Sequence, residues 1–304
     1  MAVSSEDDAE VRRVSITNQG GQIREIELTS YAEIVLARHA DDDAHPAFSK
    51  LFVETEFVAD AGVILATRRP RSPGETPIWV AHLAVVEGET VGDVQFETDR
   101  ARFIGRARTI RTPITVVSRG QLSSTIGTVL DPVVSLRRVV RIPPQATVRV
   151  AFWTLIAPSR QEALDLADKH RDATAFDRAT TLAWTQAQVQ LYHLGISADD
   201  AHVFQRLANR VLYSDPTLRP PSETLKRNEG TAAMLWPQGI SGDLPIVLIR
   251  IDETADLDVV RQLLLAHEYW RMKLLSVDLV ILNERAPSYV QDLEAALEAL
   301  VRAG

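Results

Sequence analysis

The residues best suited to chemistry lie in the run Leu235-Trp236-Pro237-Gln238-Gly239-Ile240-Ser241-Gly242-Asp243-Leu244-Pro245. The Trp236 indole could stack on the apolar face of a sugar, and the Asp243 carboxylate could accept hydrogen bonds from its hydroxyls. The same glycines and prolines also serve as a structural turn ahead of the apolar run at Ile246. The run has neither Walker spacing nor the dinucleotide glycine pattern, so it is not read as a phosphate loop. His267-Glu268 begins like a zinc-protease motif, but the fifth position is Arg271 and the second histidine ligand is lacking; ordinary polar contacts on a helix face are expected. Asp41-Asp42-Asp43 with His45 could be drawn as a metal site, but reads better as a solvated acidic loop. Arg100, Arg102, Arg106 and Arg108 alternate, which predicts one strand face ion-paired with Glu97 and Asp99, with anion binding as the alternative. The five tryptophans are scattered and are expected in the core. Nothing matches a nucleophile elbow. No catalytic residue, metal ligand or cofactor site is assigned; Trp236 and Asp243 are the candidate substrate contacts.

Composition narrows the partners. A net charge of −8 over 304 residues argues against nucleic acid, whose binding depends on clustered Lys and Arg. The absence of cysteine excludes disulfides, thiolate catalysis and cysteine-based zinc sites. No apolar run reaches the 18 residues of a membrane span, and the start at Met1 to Glu10 is acidic and unlike a leader peptide. A cytoplasmic address is therefore expected.

The elements that would hold these side chains change character along the chain. Residues 1–157 read as β. Val11, Val14 and Ile16 begin an apolar alternation, Asn18 to Gly21 supply a turn, and Ile26 and Leu28 alternate with Glu25 and Glu27. Trp79 to Val86, Ile114 to Ser118 and Val148-Val150-Phe152 continue the pattern, with Pro70, Pro73, Gly74, Pro77, Gly88 and Gly92 between runs. Many short strands predict an antiparallel sandwich. Ser159 and Glu162 form a capping-box pattern, the Ser bonding forward and the Glu back to free amides, so a helix should run towards His170. A second helix carries Leu182, Gln186, Val189 and Tyr192 and stops at Gly195; a third, capped from Ser197, puts Val203, Leu207 and Val211 on one face. From Leu235 strand and helix alternate: Ile246 to Ile251, helix Asp256 to Leu274 with Leu257, Val260, Leu263 and Leu264 inward, Val277 to Leu282, and a helix opening at Pro287-Ser288 with Val290, Leu293, Leu297 and Leu300. Both strands read as buried on two faces, and a parallel crossover is expected.

Several stretches resemble one family. Leu28-Thr29-Ser30-Tyr31-Ala32-Glu33, His45-Pro46-Ala47-Phe48 and Glu97-Thr98-Asp99-Arg100-Ala101-Arg102-Phe103 resemble the sandwich region of cyclic β-1,2-glucan synthases. The 235–245 run is similar to a segment shared with cellobiose and chitobiose phosphorylases, and Ala266 to Arg271 and Val277 to Glu284 are similar to the same synthases. The resemblance implies an α+β chain: a partial antiparallel β-sandwich of carbohydrate-binding type at 1–157, a helical linker at 158–230, and an α/β segment at 231–304 leading into a truncated (α/α)6 barrel. Strands are expected to be missing before Met1, which would leave Val11 to Thr17 or its neighbours at an open edge. In the synthases this module follows a membrane-embedded glycosyltransferase part, so association with the inner membrane is implied for full-length relatives. The implied reaction is inverting phosphorolysis, with an Asp as general acid and phosphate as nucleophile; no second carboxyl is needed to activate water. The family's Tyr-Gly-Phe-Arg-Asp-type motif, catalytic Asp and phosphate-binding His are not found in this chain. The expected function is thus a part of a β-glucan synthase that is inactive alone. Two alternatives stand: a module binding β-glucan or another oligosaccharide without chemistry, and a nonfunctional gene remnant.

Overall fold

The computed structural model describes residues 1–304 except 71, 73, 214, 218, 287–290 and 304. The expected helix start at Pro287-Ser288, with Val290, and the break at Pro73 lie outside the described residues. The elements in chain order are β1 (Ala2–Val3), β2 (Ala9–Thr17), β3 (Arg24–Thr29), β4 (Ala32–Glu33), α1 (His39–Ala44), α2 (Pro46–Lys50), β5 (Val53–Val58), β6 (Val63–Arg68), β7 (Trp79–Glu87), β8 (Glu89–Asp99), α3 (Arg100–Ile104) and α4 (Ile114–Val117). Then come β9 (Gly127–Thr128), β10 (Pro132–Ile142), β11 (Thr147–Ala157), α5 (Arg160–Lys169), α6 (Ala175–Leu194), α7 (Ala198–Leu212), α8 (Ser222–Lys226), β12 (Ile246–Ile251), α9 (Leu257–Met272), β13 (Asp278–Asn283) and α10 (Asp292–Ala303). The chain divides into two compact units, residues 1–186 and 187–304.

The first unit contains two antiparallel sheets. Seven strands run in the order β1-β2-β11-β7-β6-β5-β9. In the second sheet β10 is central, with β8 on one side and β3 and β4 sharing the other. Period-two alternation sends neighbouring residues of a strand to opposite faces. Ile64, Ala66, Val80 and Val150 therefore meet Val134, Leu136, Val140 and Ile142 of the second sheet. Val63, Leu65, Leu83, Trp153 and Leu155 face the other way and pack with Ala163 and Ala167 of α5 and Ala179 of α6. The large sheet is thus covered on both faces, which is why Val63-Ile64-Leu65-Ala66 is an unbroken apolar run. Each such Leu or Ile contributes roughly 1.5–3 kcal/mol by leaving water.

Local chemistry sets the boundaries. Ser159 caps α5: its Oγ accepts from the Glu162 amide at 3.2 Å and donates to Glu162 Oε1 at 2.8 Å. The Glu162 carboxylate therefore takes the hydroxyl rather than an amide. Gly88 turns β7 into β8 at φ +144°, and a Cβ there would meet Val148 Cγ2 at 2.7 Å.

Several expectations are corrected. Ile114 to Ser118 is not a strand: α4 turns at Ile114–Val117 after Pro113, and the Thr115 hydroxyl donates to the Phe103 carbonyl at 3.0 Å. The alternating arginines share no strand face. Asp99 ends β8 by accepting the Ala101 amide at 2.8 Å, which starts α3 and places Arg100 and Arg102 on a helix. Arg100 pairs with Glu33 and Asp131, and Arg102 with Asp99. Glu97 is fully buried and serves backbone amides and Ser123 instead. The acidic run at 41–43 is helical, in α1, because His39 to Ala44 forms a short turn braced by Ser49 Oγ on the Asp41 carbonyl. β2 pairs with β11 along its whole length, but β1 covers its other side only at Glu10 and Val11, so residues 12–17 have no strand on that side among the described residues.

In the second unit Ser197 and Asp200 form a full capping box at the start of α7. The buried face of α7 carries Ala201 and Phe204 rather than Leu207, which is exposed; Val189 and Tyr192 of α6 are exposed as well. Phe204 packs with Ala266, Tyr269, Trp270 and Val277, and Trp270 Nε1 donates to the Phe204 carbonyl at 2.9 Å. β12 and β13 pair in parallel, Ile246 opposite Asp278 through Ile251 opposite Asn283. They are not covered on both faces. Ile249, Ile251 and Ile281 pack against Val260, Leu264, Leu293 and Leu297 of α9 and α10. Ile246, Leu248 and Leu282 remain exposed, at 42%, 55% and 44%. With two helices on one side, only one face is shielded among the described residues.

Candidate functional site

A cavity of about 660 Å³ lies on the large sheet beside the β3–β4 turn. Register explains its floor. Arg12 lies opposite Phe152, Glu10 opposite Thr154, and Thr154 opposite His82. Alternation puts Val14, Phe152, Thr154, Ile156 and His82 on the same face, and all line the cavity. The wall is Leu28 to Ala32, the end of β3 and the turn into β4. Most of the exposed lining is apolar.

At the base sits His82, only 3% exposed. Its Nε2 shares a hydrogen bond with Ser30 Oγ at 2.8 Å, and its Nδ1 with Thr154 Oγ1 at 3.1 Å. Burial pushes the His82 pKa down to about 4; nearby Arg12 adds to this, while a bond involving the Trp153 backbone and the charge of Glu10 oppose it. The ring is therefore neutral at pH 7. Ser30 is fixed in turn: its Oγ accepts the Leu136 amide at 3.0 Å and its carbonyl accepts from Ser135 Oγ at 2.7 Å. At the rim the Tyr31 hydroxyl donates to Glu33 Oε1 at 2.8 Å, and Arg100 Nε donates to the same oxygen at 2.7 Å. Burial, then the Glu33 bond and charge, raise the Tyr31 pKa, so the phenol stays protonated. Burial raises the Glu33 pKa, but the bonds from Arg100 and Tyr31 outweigh it and hold the carboxyl below its usual range. Arg12 is held by Glu10 at 2.5 Å. The arrangement offers neutral hydroxyls over an apolar floor. The Ser30 hydroxyl and the neutral His82 ring are in hydrogen-bond contact, but the other ring nitrogen meets Thr154 Oγ1 and no carboxylate orients the imidazole. The cavity has no spare cation for an anion.

The residues singled out from the sequence lie elsewhere. Trp236 stands in a single 3₁₀ turn (Trp236–Gln238), 64% exposed, with Nε1 donating to the Ser241 carbonyl at 3.2 Å. Asp243 is exposed; its amide donates to Ser241 Oγ at 3.1 Å, and its carboxylate has no hydrogen-bond partner among the described residues. The Ser241 side chain, not the Asp243 carboxylate, ties this turn. His267 Nε2 meets the Val277 carbonyl at 3.2 Å within the packed α9 face. Trp153 and Trp270 are core residues, whereas Trp184 is exposed like Trp236. Among the described residues no cluster of three or more His, Asp or Glu is placed to hold a metal ion, and no helix is long and apolar enough to cross a membrane. The cavity was not legible from local spacing, since its lining comes from positions more than a hundred residues apart. The available signal was His82, a lone polar residue inside the apolar run Trp79 to Val86.

The sandwich and its flanking helices define the class. Residues 1–173 match the family described as glycosyl hydrolase 94, supersandwich domain, and the chain belongs to that family. Over 298 residues it is 44% identical to the cyclic beta-(1,2)-glucan synthase NdvB of Rhizobium meliloti (strain 1021). The match covers 98% of this chain and 10% of that protein, so the chain spans about a tenth of the length of its curated relative. It is thus homologous to one region of a cyclic β-1,2-glucan synthase.

Proposed function

We propose that this chain serves a protein that synthesises and processes β-1,2-glucan, and that it contributes structure and substrate handling rather than bond-making chemistry. The 44% identity along nearly the whole chain carries this reading. In the sandwich cavity the His82 ring is held between the hydroxyls of Ser30 and Thr154 with no carboxylate behind it, which supports the non-catalytic part. In this proposal residues 1–157 are the sandwich, 158–230 a helical linker holding α5 to α8, and 231–304 the approach to an (α/α)6 catalytic barrel. Trp236 and Asp243 are carried as sugar contacts outside the sandwich, supported by their exposed side chains. A cytoplasmic address is proposed for the chain, with full-length relatives associated with the inner membrane as the family resemblance implies.

The chain alone should release no glucose 1-phosphate from β-1,2-gluco-oligosaccharides and phosphate. General acid catalysis typically contributes about 10²–10⁴-fold, and phosphate positioning adds to it. Release clearly above a no-protein control would sink the non-catalytic reading. Asp243→Ala should leave the melting temperature unchanged, because its carboxylate ties nothing down. Loss of oligosaccharide binding in that variant would support Asp243 as a sugar contact; unchanged binding would remove it.

A further inference from the structure

We propose that the cleft above His82 is a binding site for a short β-glucan segment, a site within the glucan-handling reading given above and resting on it. A pyranose ring has an apolar face and an equatorial belt of hydroxyls, so its site needs an apolar floor and neutral hydrogen-bonding groups at the edge. The cleft supplies both. Val14 and Ile156 are exposed at 40% and 42% although they sit on a strand face otherwise covered by the second sheet. Together with Phe152 they form the floor, and Leu28 adds an apolar wall. Ser30 and Tyr31 of the β3–β4 turn and Thr154 of β11, all hydroxyl-bearing, line one volume.

Two features distinguish this from a gap in packing. The hydroxyls are held from behind: Ser30 by Leu136 and His82, Thr154 by His82, Tyr31 by Glu33 and Arg100. Such fixed second contacts lower the ordering cost of binding. The volume of about 660 Å³ falls within the range of about 300–1,000 Å³ usual for small-molecule sites. Charge selects among ligands. Arg12 is neutralised by Glu10, and Asp8 leaves a net negative lining, which disfavours phosphates, nucleotides and sugar phosphates. A neutral oligosaccharide fits.

The test is isothermal titration calorimetry of the whole chain with linear β-1,2-gluco-oligosaccharides, with maltohexaose as the comparison sugar. Ile156→Arg places a long cation in the mouth of the cleft from an exposed position, so folding should survive, as an unchanged melting curve would show. It should abolish measurable binding. Tyr31→Phe keeps the ring and removes one hydroxyl, and should weaken binding by up to about tenfold, the worth of one hydrogen bond. Binding that persists in Ile156→Arg and disappears in Trp236→Ala would assign the glucan to the 235–245 turn and overturn the cleft, leaving the broader reading intact. No binding by the wild-type chain would also overturn the cleft. The broader reading fails separately, on phosphorolysis by the chain alone.

Discussion

Two buried polar residues show how much depends on single partners. Glu97 is wholly enclosed; its Oε1 accepts the Thr98 and Asp99 amides at 2.9 Å each, and its Oε2 accepts the Ser123 amide at 3.3 Å as well as the Ser123 hydroxyl. Glu97→Gln keeps the shape but turns an NH₂ group towards donors. It should cost about 1–3 kcal/mol, the penalty of an unmet buried group, measured by urea denaturation. His82 makes a pH prediction. Its folded pKa lies near 4, below the ordinary 6.5, so the unfolded chain takes up the proton first. Stability should therefore fall as pH drops from about 6.5 to 4, by about 3 kcal/mol in all from this residue. His170, also lowered by burial against the opposing pull of Asp7, adds a slope of the same sign. His82→Gln cannot titrate, so its stability curve should be flatter than wild type over that window, with the His170 contribution unchanged. Equal slopes would show that His82 is not the source. Glu97 did not declare itself in the sequence: it read as an ion-pair partner of the nearby arginines, because only the fold reveals that Ser123, 26 residues away, converges on it.

At the scale of elements, several short-range signals were read correctly. The capped starts of α5 and α7 are short-range chemistry, as is the stop of α6 at Gly195, which has φ +64°. Some misreadings came where a contact further along the chain overrules a local pattern, and the arginine face failed on a local one, the Asp99 cap of α3. Ile-Thr-Val-Val at 114–117 has strand composition, yet it coils because Thr115 is captured by Phe103. The two parallel strands were read as doubly buried from their apolar content, but content does not show how many layers cover them. This asymmetry is measurable. Ile251→Ala, on the covered face, should cost about 2–5 kcal/mol. Leu248→Thr, at 55% exposure on the open face, should fall within about 0.5 kcal/mol of wild type. A large loss in Leu248→Thr would mean that the open face is covered in solution. In the turn between β7 and β8, Gly88→Ala should destabilise through both its positive φ and the clash with Val148, and a melting curve will show it.

For the whole molecule, the two-sheet sandwich followed by helices was visible in the alternation of turns and short apolar runs, and the family stretches confirmed their order. The order of the strands within the sheets was not visible, because nothing near β2 specifies β11 as its partner. That pairing sets a timetable. Thr17 meets Thr147, and Ala9 meets Leu155, so the first long strand has its main neighbour 130 to 146 residues later. β3 likewise waits for β10, with Thr29 opposite Arg137. On a ribosome adding about 5–20 residues each second, the N-terminal strands stand unpaired for roughly 7–30 seconds before their partners have even been made. During that interval Glu10, Arg12 and Arg13 punctuate the nascent strand with charge and keep its apolar residues from recruiting other chains. The sandwich is therefore closed by its last two long strands, and a ribosome paused before residue 132 holds β5, β6 and β7, which can pair with one another, but not the long partner of β2 or of β3.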